Sequence, residues 1–466
     1  VKPVVGPRAE SPTLVLVTTL LIVVTVGRVM DLFPPLYGVP VVKILTVVAV
    51  LVFALAPRVP RPAFGQSWIA RLVLALLLLA VASLAFSAWR AMSVMVLTGS
   101  VAAIAAILVL VYKSGGTLAA LERYLRALAV CAGTLTVGGL LFRGQGRLSW
   151  GRIYDPNDLA FVLVALLPIV LAFWRTARGA ARLGWLAIAV GSVWVMLLTQ
   201  SRGGLLGLLL VVSYLGAVGA WRARFGRGFS VGRVLVGWIL MALLAVGTWA
   251  VLPGDARLRY ETLLDPSSDY NVTAHREGRV SVWKRGLASL SARPWGVGIG
   301  AYPMAEMAQS GYWRTAHNSV LELSVELGVL GGALFIAMLA RAWRVLGTVM
   351  RAGSDPEPRA GPAATRAGAP PERAPPVVPE QWQIHAQHLR ATLIGIVGAG
   401  FFLSQAYALI VYAVIAVIAA LEARYAPRTR PARIGAMAPA PPTGRATPAR
   451  GWDAVPAPGG PRGRVP

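Results

Sequence analysis

Apolar runs of about 20 residues recur along this chain, and each is long enough to cross the roughly 30 Å hydrocarbon core of a bilayer. One such run could anchor an otherwise soluble protein. Many of them, in close succession, have no place in water. Of the 466 residues, 56% are hydrophobic and 14% are charged, whereas a soluble domain is about 25% charged. Too few charges remain to coat a globule. The pattern excludes a soluble enzyme, a disordered scaffold and a disulfide-stapled secreted module. It points to an all-α integral membrane protein.

Twelve transmembrane helices are predicted, over residues 14–32, 39–56, 68–87, 91–112, 117–141, 157–174, 183–200, 204–221, 233–252, 318–340, 389–404 and 407–423. Only Gly398, Gly400, Ser404 and Gln405 interrupt the last long apolar stretch. The first run lacks a small-residue cleavage site behind it, so it reads as a retained helix. Basic residues in short loops set orientation. With the N-terminus inside, Lys2, Arg8, Arg58, Arg61, Lys113, Arg175, Arg178, Arg182, Arg222, Arg224, Arg227, Arg341, Arg344 and Arg351 all fall on the cytoplasmic side. Both termini are therefore expected in the cytoplasm.

The expected organisation is nine helices in 1–252, a periplasmic loop or lid at 253–317 and a tenth helix in 318–346. A disordered cytoplasmic linker follows at 347–388, then the last two helices in 389–425 and a disordered cytoplasmic tail at 426–466. Both disordered segments are rich in Pro, Ala, Gly and Arg, with little to bury. The net charge of +26 comes from basic inner loops and Arg-rich tails rather than from a nucleic-acid module. Contact with anionic lipid headgroups suits those tails. The long outer loop carries Trp283, Trp295 and Trp313, a helix-compatible stretch from Arg279 to Ser291, and the turn WGVGIGAY.

The lone Cys131 lies in an apolar run and offers no disulfide or thiolate metal site; no HExxH pattern and no P-loop occur. Arginines on the outer side are more informative because they break the positive-inside bias. Arg202 sits in TQSRGG, a tight break between the seventh and eighth spans, where Gly203 and Gly204 could let the backbone turn. It reads either as a snorkelling anchor or as a partner for an anion. Arg143, Arg147 and Arg152 crowd the outer loop between the fifth and sixth spans, and Arg276, Arg279, Lys284, Arg285 and Arg293 lie in the long one. Guanidinium groups bind phosphate oxygens in bidentate fashion and keep their charge, so a polyanionic ligand is implied. His317 and Asn318 precede a helix bearing Glu322 and Glu326, four apart on one face. His317 is either a plain helix-start residue or a group for proton transfer near neutral pH. Asp155 and Pro156 read as the cap and first turn of the sixth span, with Asn157 or Asp158 open to a ligand role.

The stretch HNSVLELSVELGVLGG, from His317 to Gly332, resembles the signature of bacterial O-antigen ligases, with His317, Asn318, Gly328 and Gly331 in the matching places. TQSRGGLLGLLL, GRVSVWKRGLASLSARPWGVGIGAY and DPNDLA resemble further segments of that family. The resemblance implies a GT-C-like, multi-spanning glycosyltransferase that inverts configuration and needs no metal or other cofactor. Its donor would be a glycan on undecaprenyl diphosphate, its acceptor a sugar hydroxyl of lipid A–core, at the periplasmic face of the bacterial inner membrane. Carried over by motif, Arg202, Arg279 and His317 are the catalytic candidates. Arg147, Arg152, Asn157, Arg276, Asn318 and Glu322 are weaker candidates for binding diphosphate or sugar. O-antigen and exopolysaccharide polymerases share this architecture and remain the alternative. A transporter or flippase of an anionic lipid is the reading from another class. It is disfavoured because the halves show no repeat and the cations gather at one face.

Overall fold

The computed structural model describes residues 11–33, 35, 39–56, 62–141, 147–149, 151, 154–225, 246–247, 249–261, 278–352 and 378–425. Among the described residues the protein is all helical, with no β-strand. The first half comprises α1 (Pro12–Val26), α2 (Val41–Leu55), α3 (Trp68–Ala82) and α4 (Arg90–Val96). A π-helical turn at Leu97–Val101 joins α4 to α5 (Ala102–Ser114); α6 (Leu118–Leu141), α7 (Pro156–Thr176), α8 (Gly179–Leu198) and α9 (Arg202–Phe225) follow. Three short helices come next, α10 (Gly254–Glu261), α11 (Arg279–Ala292) and α12 (Tyr302–Ser310). The remaining helices are α13 (Ser319–Arg351), α14 (Glu380–Gly400) and α15 (Leu409–Tyr425).

Burial separates centre from rim. In α7, 78% of the apolar stretch is buried, against 33% in α3 and in α8. Every residue of α15 from Ile410 to Ala423 is buried as well. A helix apolar all round belongs inside a bundle or in lipid, and α15 takes the inside place against α5. α14 packs on α7, α9 and α13, and α13 also lies along α3. At the rim, α2 exposes Ile44, Val47, Val50, Leu51 and Leu55. A run of large apolar side chains on the outside suits hydrocarbon and would be a liability in water. This is an all-α membrane protein. Away from His317, the buried Glu422 carboxylate of α15 ties three helices. It accepts from Arg341 Nε at 2.6 Å, from Ser67 Oγ at 2.6 Å and from the Ile69 N–H at 3.0 Å.

The structure alters several expectations. Among the described residues, six helices are long and apolar enough to span a bilayer, with shorter apolar helices at Pro12–Val26, Val41–Leu55 and Arg202–Val218. That leaves the count of twelve unconfirmed. Most of the ninth expected span, 233–252, lies outside the described residues. The first span stops at Val26 because Arg28 adopts a left-handed backbone (φ 53°) and pairs with Asp31 at 2.9 Å. At the other end, α13 runs on to Arg351 and α14 begins at Glu380, so the expected linker at 347–388 is helical at both edges. Polar letters in EQWQIHAQH hide a segment that starts behind Pro379 and buries Trp382, His385 and His388. Residues 353–377 and the tail from 426 lie outside the described residues.

Candidate functional site

The break before Arg202 is made differently from the expected glycine turn. Gln200 takes the left-handed conformation (φ 54°), and Arg202, Gly203 and Gly204 already belong to α9. The two glycines serve close packing. A Cβ on Gly204 would lie 2.7 Å from the Ala160 Cβ, and one on Gly203 would lie 3.1 Å from the Phe402 Cβ. α9 thereby meets α7 and the α14 end at backbone distance.

Two arginines clamp the carbonyls of this break. Arg147 Nε donates to the Thr199 carbonyl at 3.1 Å, and Arg259 Nε, on α10, donates to the Gln200 carbonyl at 3.1 Å. Tyr260 hydroxyl adds a bond to the Leu197 carbonyl at 2.9 Å. Arg147 also donates to Asn157 Oδ1 at 3.0 Å. Asp155 caps α7 as its position suggested, accepting from the N–H groups of Asn157 and Asp158 at 2.7 and 2.8 Å. Burial, then the nearby charges of Arg259 and Arg202, push the Arg147 guanidinium down to about 10, with Asp155 acting the other way. Arg147, Arg202 and Arg259 therefore form one positive cluster beside Asp155.

His317 sits at the same place from the other side. Its backbone is left-handed (φ 47°), rare for a residue with a side chain. Its N–H donates to Ser404 Oγ at 2.9 Å, and its Nε2 lies 3.4 Å from Thr315 Oγ1. Burial first, then the charges of Arg279 and Arg314, push the imidazole down to about 4, while Asp155 pulls it up. Asp155 is thus within electrostatic range of both His317 and Arg147. Glu322, a candidate for binding diphosphate or sugar, faces the Ser404 hydroxyl. Asn318 is committed to capping α13, accepting from the Leu321 N–H at 2.9 Å. Arg152 and Arg276 lie outside the described residues.

Arg279 reaches this place because α11 is fastened to α13 twice. Trp283 Nε1 donates to the Ala316 carbonyl at 2.8 Å, next to His317. Further along, α13 breaks at Gly328 (φ 75°, ψ −179°). A break in a helix orphans backbone groups, and the segment following α11 satisfies them. Val297 and Gly298 N–H groups donate to the Val325 and Glu326 carbonyls at 2.9 Å each, and Val329 N–H donates to the Pro294 carbonyl at 2.9 Å. The backbones approach so closely that a Cβ on Gly328 would lie 2.5 Å from the Pro294 carbonyl oxygen. One on Gly296 would lie 2.5 Å from the Gly328 nitrogen. The Glu326 carboxylate, turned inward at this kink, accepts from the Tyr302 N–H at 3.2 Å and from the Tyr407 hydroxyl at 2.7 Å.

Beneath His317 an apolar cavity of about 430 Å³ runs between α13, α14, α7 and α9. Phe161, Leu210, Phe335, Trp343 and Leu393 line it, and its polar residues, Ser319 and Gln405, stand next to the residues that hold His317.

Several of these groups escape sequence reasoning. Arg259 and Arg314 carry no motif of their own. Ser404 and Gln405 did leave a signal, as two polar letters inside an apolar run. Among the described residues no cluster of three or more His, Cys, Asp or Glu is arranged to hold a metal ion.

No curated protein matches this chain. The family model for O-antigen ligases matches residues 187–336, a stretch that includes Arg202, Arg279, His317 and the broken helix around Gly328, and leaves out Arg147, Asn157 and Ser404. That match, which meets the motifs that suggested it, makes this stretch of the chain similar to the O-antigen ligase family.

Proposed function

We propose that this protein transfers a glycan from undecaprenyl diphosphate to a sugar hydroxyl of lipid A–core, at the periplasmic face of the inner membrane and with both termini in the cytoplasm. The observation that carries this reading is the meeting of a buried imidazole, pushed down by its arginine neighbours, with two groups of arginines around Asp155, beside an apolar cavity. The acceptor oxygen attacks the anomeric carbon, and the bond from that carbon to the diphosphate oxygen breaks. The electron pair stays on the diphosphate, and the hydroxyl proton passes to His317. A single displacement of this kind inverts the anomeric configuration.

Negative charge on the leaving diphosphate grows as the bond breaks. Fixed guanidinium groups aimed there stabilise the transition state more than the ground state. Arg202 and Arg279 are assigned this role, with Arg147 beside them. The electrostatics of His317 fit the sequence of events. In the free enzyme, burial and Arg279 keep the ring neutral and able to accept a proton. A bound diphosphate would offset Arg279 and Arg314 and so raise the basicity of the imidazole when the acceptor arrives. The cavity suits the isoprenoid tail, because its wall is apolar and its polar residues stand at the reacting end.

The test is transfer by the purified protein in lipid, from a polyprenyl-diphosphate glycan to lipid A–core in competition with a second lipid-linked glycan. Extension of lipid A–core, lost in His317→Ala with donor binding kept, is the expected result. Extension of the lipid-linked glycan alone would make the protein a polymerase. Full activity of His317→Ala would remove the proposed chemistry.

A further inference from the structure

The left-handed backbone of His317 needs something to hold it, and the contacts on its own helix are insufficient. Asn318 caps α13 and the Ala316 carbonyl is taken by Trp283. The N–H of His317 itself is bound by Ser404, from the connection between α14 and α15. That connection is fastened to the site at four points. The Leu403 carbonyl accepts from Ser319 Oγ at 2.7 Å, and the Gln405 N–H donates to Ser319 Oγ at 2.9 Å. Gln405 Nε2 donates to the Asp158 carboxylate on α7. Tyr407 hydroxyl donates to Glu326 at 2.7 Å. Ser319 and Glu326 are both buried.

Resting on the function proposed above, we infer that Ser404 is a positioning residue for His317. Its hydroxyl accepts the His317 N–H while facing Glu322, and so fixes the angle at which the imidazole meets the acceptor hydroxyl. The neighbouring bonds from Leu403, Gln405 and Tyr407 keep Ser404 from following His317 if it moves. This explains the polar interruption in an otherwise apolar stretch. A bare loop between two helices would need turn residues, but not a half-buried serine and glutamine bound to two other helices. Ser404 lies outside the stretch matched by the family model, so its role is read from contacts in this structure.

The experiment is steady-state transfer by full-length Ser404→Ala and Ser404→Thr in lipid, with His317→Ala and the unaltered protein in parallel. Ser404→Ala should lower kcat about tenfold, the worth of roughly one hydrogen bond at the upper end of its range. KM for donor and acceptor should stay within about twofold, because no substrate contact is removed. Ser404→Thr keeps the hydroxyl and should recover most of the rate. Thermal midpoints in detergent accompany each assay. If Ser404→Ala does not accumulate as folded protein, Ser404→Cys, a near isostere with a weak acceptor, replaces it under the same expectations. Wild-type kcat in the variant, or equal losses in KM and kcat without rescue by Thr, would overturn the inference. An inactive His317→Ala beside a fully active Ser404→Ala removes this inference alone. A fully active His317→Ala removes the underlying function instead.

Discussion

Gly328→Ala tests whether the broken helix is held by backbone contact rather than by any ligand. The native φ of 75° with ψ near 180° suits glycine alone, so a side chain adds about 1–3 kcal/mol of strain. Its Cβ would also meet the Pro294 carbonyl oxygen at 2.5 Å and the Trp295 carbonyl carbon at 2.6 Å. Either that overlap is borne, at about 1–3 kcal/mol, or the 294–298 segment withdraws. Withdrawal loses three backbone hydrogen bonds worth about 0.5–1.5 kcal/mol each. The first route comes to about 2–6 kcal/mol and the second to about 2.5–7.5 kcal/mol, a large part of a typical stability. Gly311→Ala is the internal reference, because Gly311 has a similar φ of 78° but nothing within 4 Å of an added Cβ. With ψ near 0° it lies in the milder left-handed region, so it should show a smaller strain and no overlap. The assay is the thermal midpoint in detergent, with Gly296→Ala as a second probe of the same contact. Gly328→Ala should fall several times further than Gly311→Ala. The double variant at 296 and 328 should lose less than the two single losses added, since both disrupt one approach. Equal losses for Gly328→Ala and Gly311→Ala would refute the reasoning.

Arg202→Ala and Arg279→Ala should each slow glycan transfer by roughly 10²–10³-fold while the protein still inserts, as read from gel-resolved lipid A–core products. Lys at either position should restore little, lacking the fork that grips two phosphate oxygens, and wild-type transfer by an Ala variant would take that arginine out of the site. Because His317 is pushed down to about 4, its proton-accepting form persists at every pH above that. The acid limb of kcat/KM should fall near pH 4 and move upward in Arg314→Gln; a wild-type limb in the ordinary histidine range would contradict this electrostatic picture. Leu393→Trp should fill part of the apolar cavity and raise KM for a long-chain donor, while a short-chain donor is used as before. Transfer should continue in excess EDTA, since arginine carries the leaving charge, and a strict need for a divalent cation would count against that.

How much of this was legible beforehand depended on how far each feature reached along the chain. Local signals worked. Asp155 ahead of Pro156 announced the start of α7, and the stretch from Arg279 announced α11. Apolar runs located the long helices of the bundle. Signals that need a distant partner failed or were misassigned. Gly203 and Gly204 looked like a turn because glycine pairs commonly make one, but their use depends on Ala160 and Phe402 from distant segments. Gly296 and Gly328 each sit in a recognisable motif, and neither motif states that the two backbones touch. Glu322 and Glu326 could be recognised as costly in an apolar span, but their partners Ser404, Tyr302 and Tyr407 come from separate segments.

The same contrast says where a sequence of this kind should be searched for site residues. A buried polar side chain in a membrane helix is retained only if a partner offsets its transfer from water. When a half-buried polar residue lies in the connection between two apolar helices and outside every motif, as Ser404 and Gln405 do, its partner is a residue that the fold must hold in place. Here those partners are the backbone of His317 and the carboxylate of Asp158, one helix turn from Asp155, the group within electrostatic range of both the imidazole and the arginine cluster. In this chain the polar interruption of an apolar run marks the supports of the groups proposed to react, whereas charge counts mark those groups themselves.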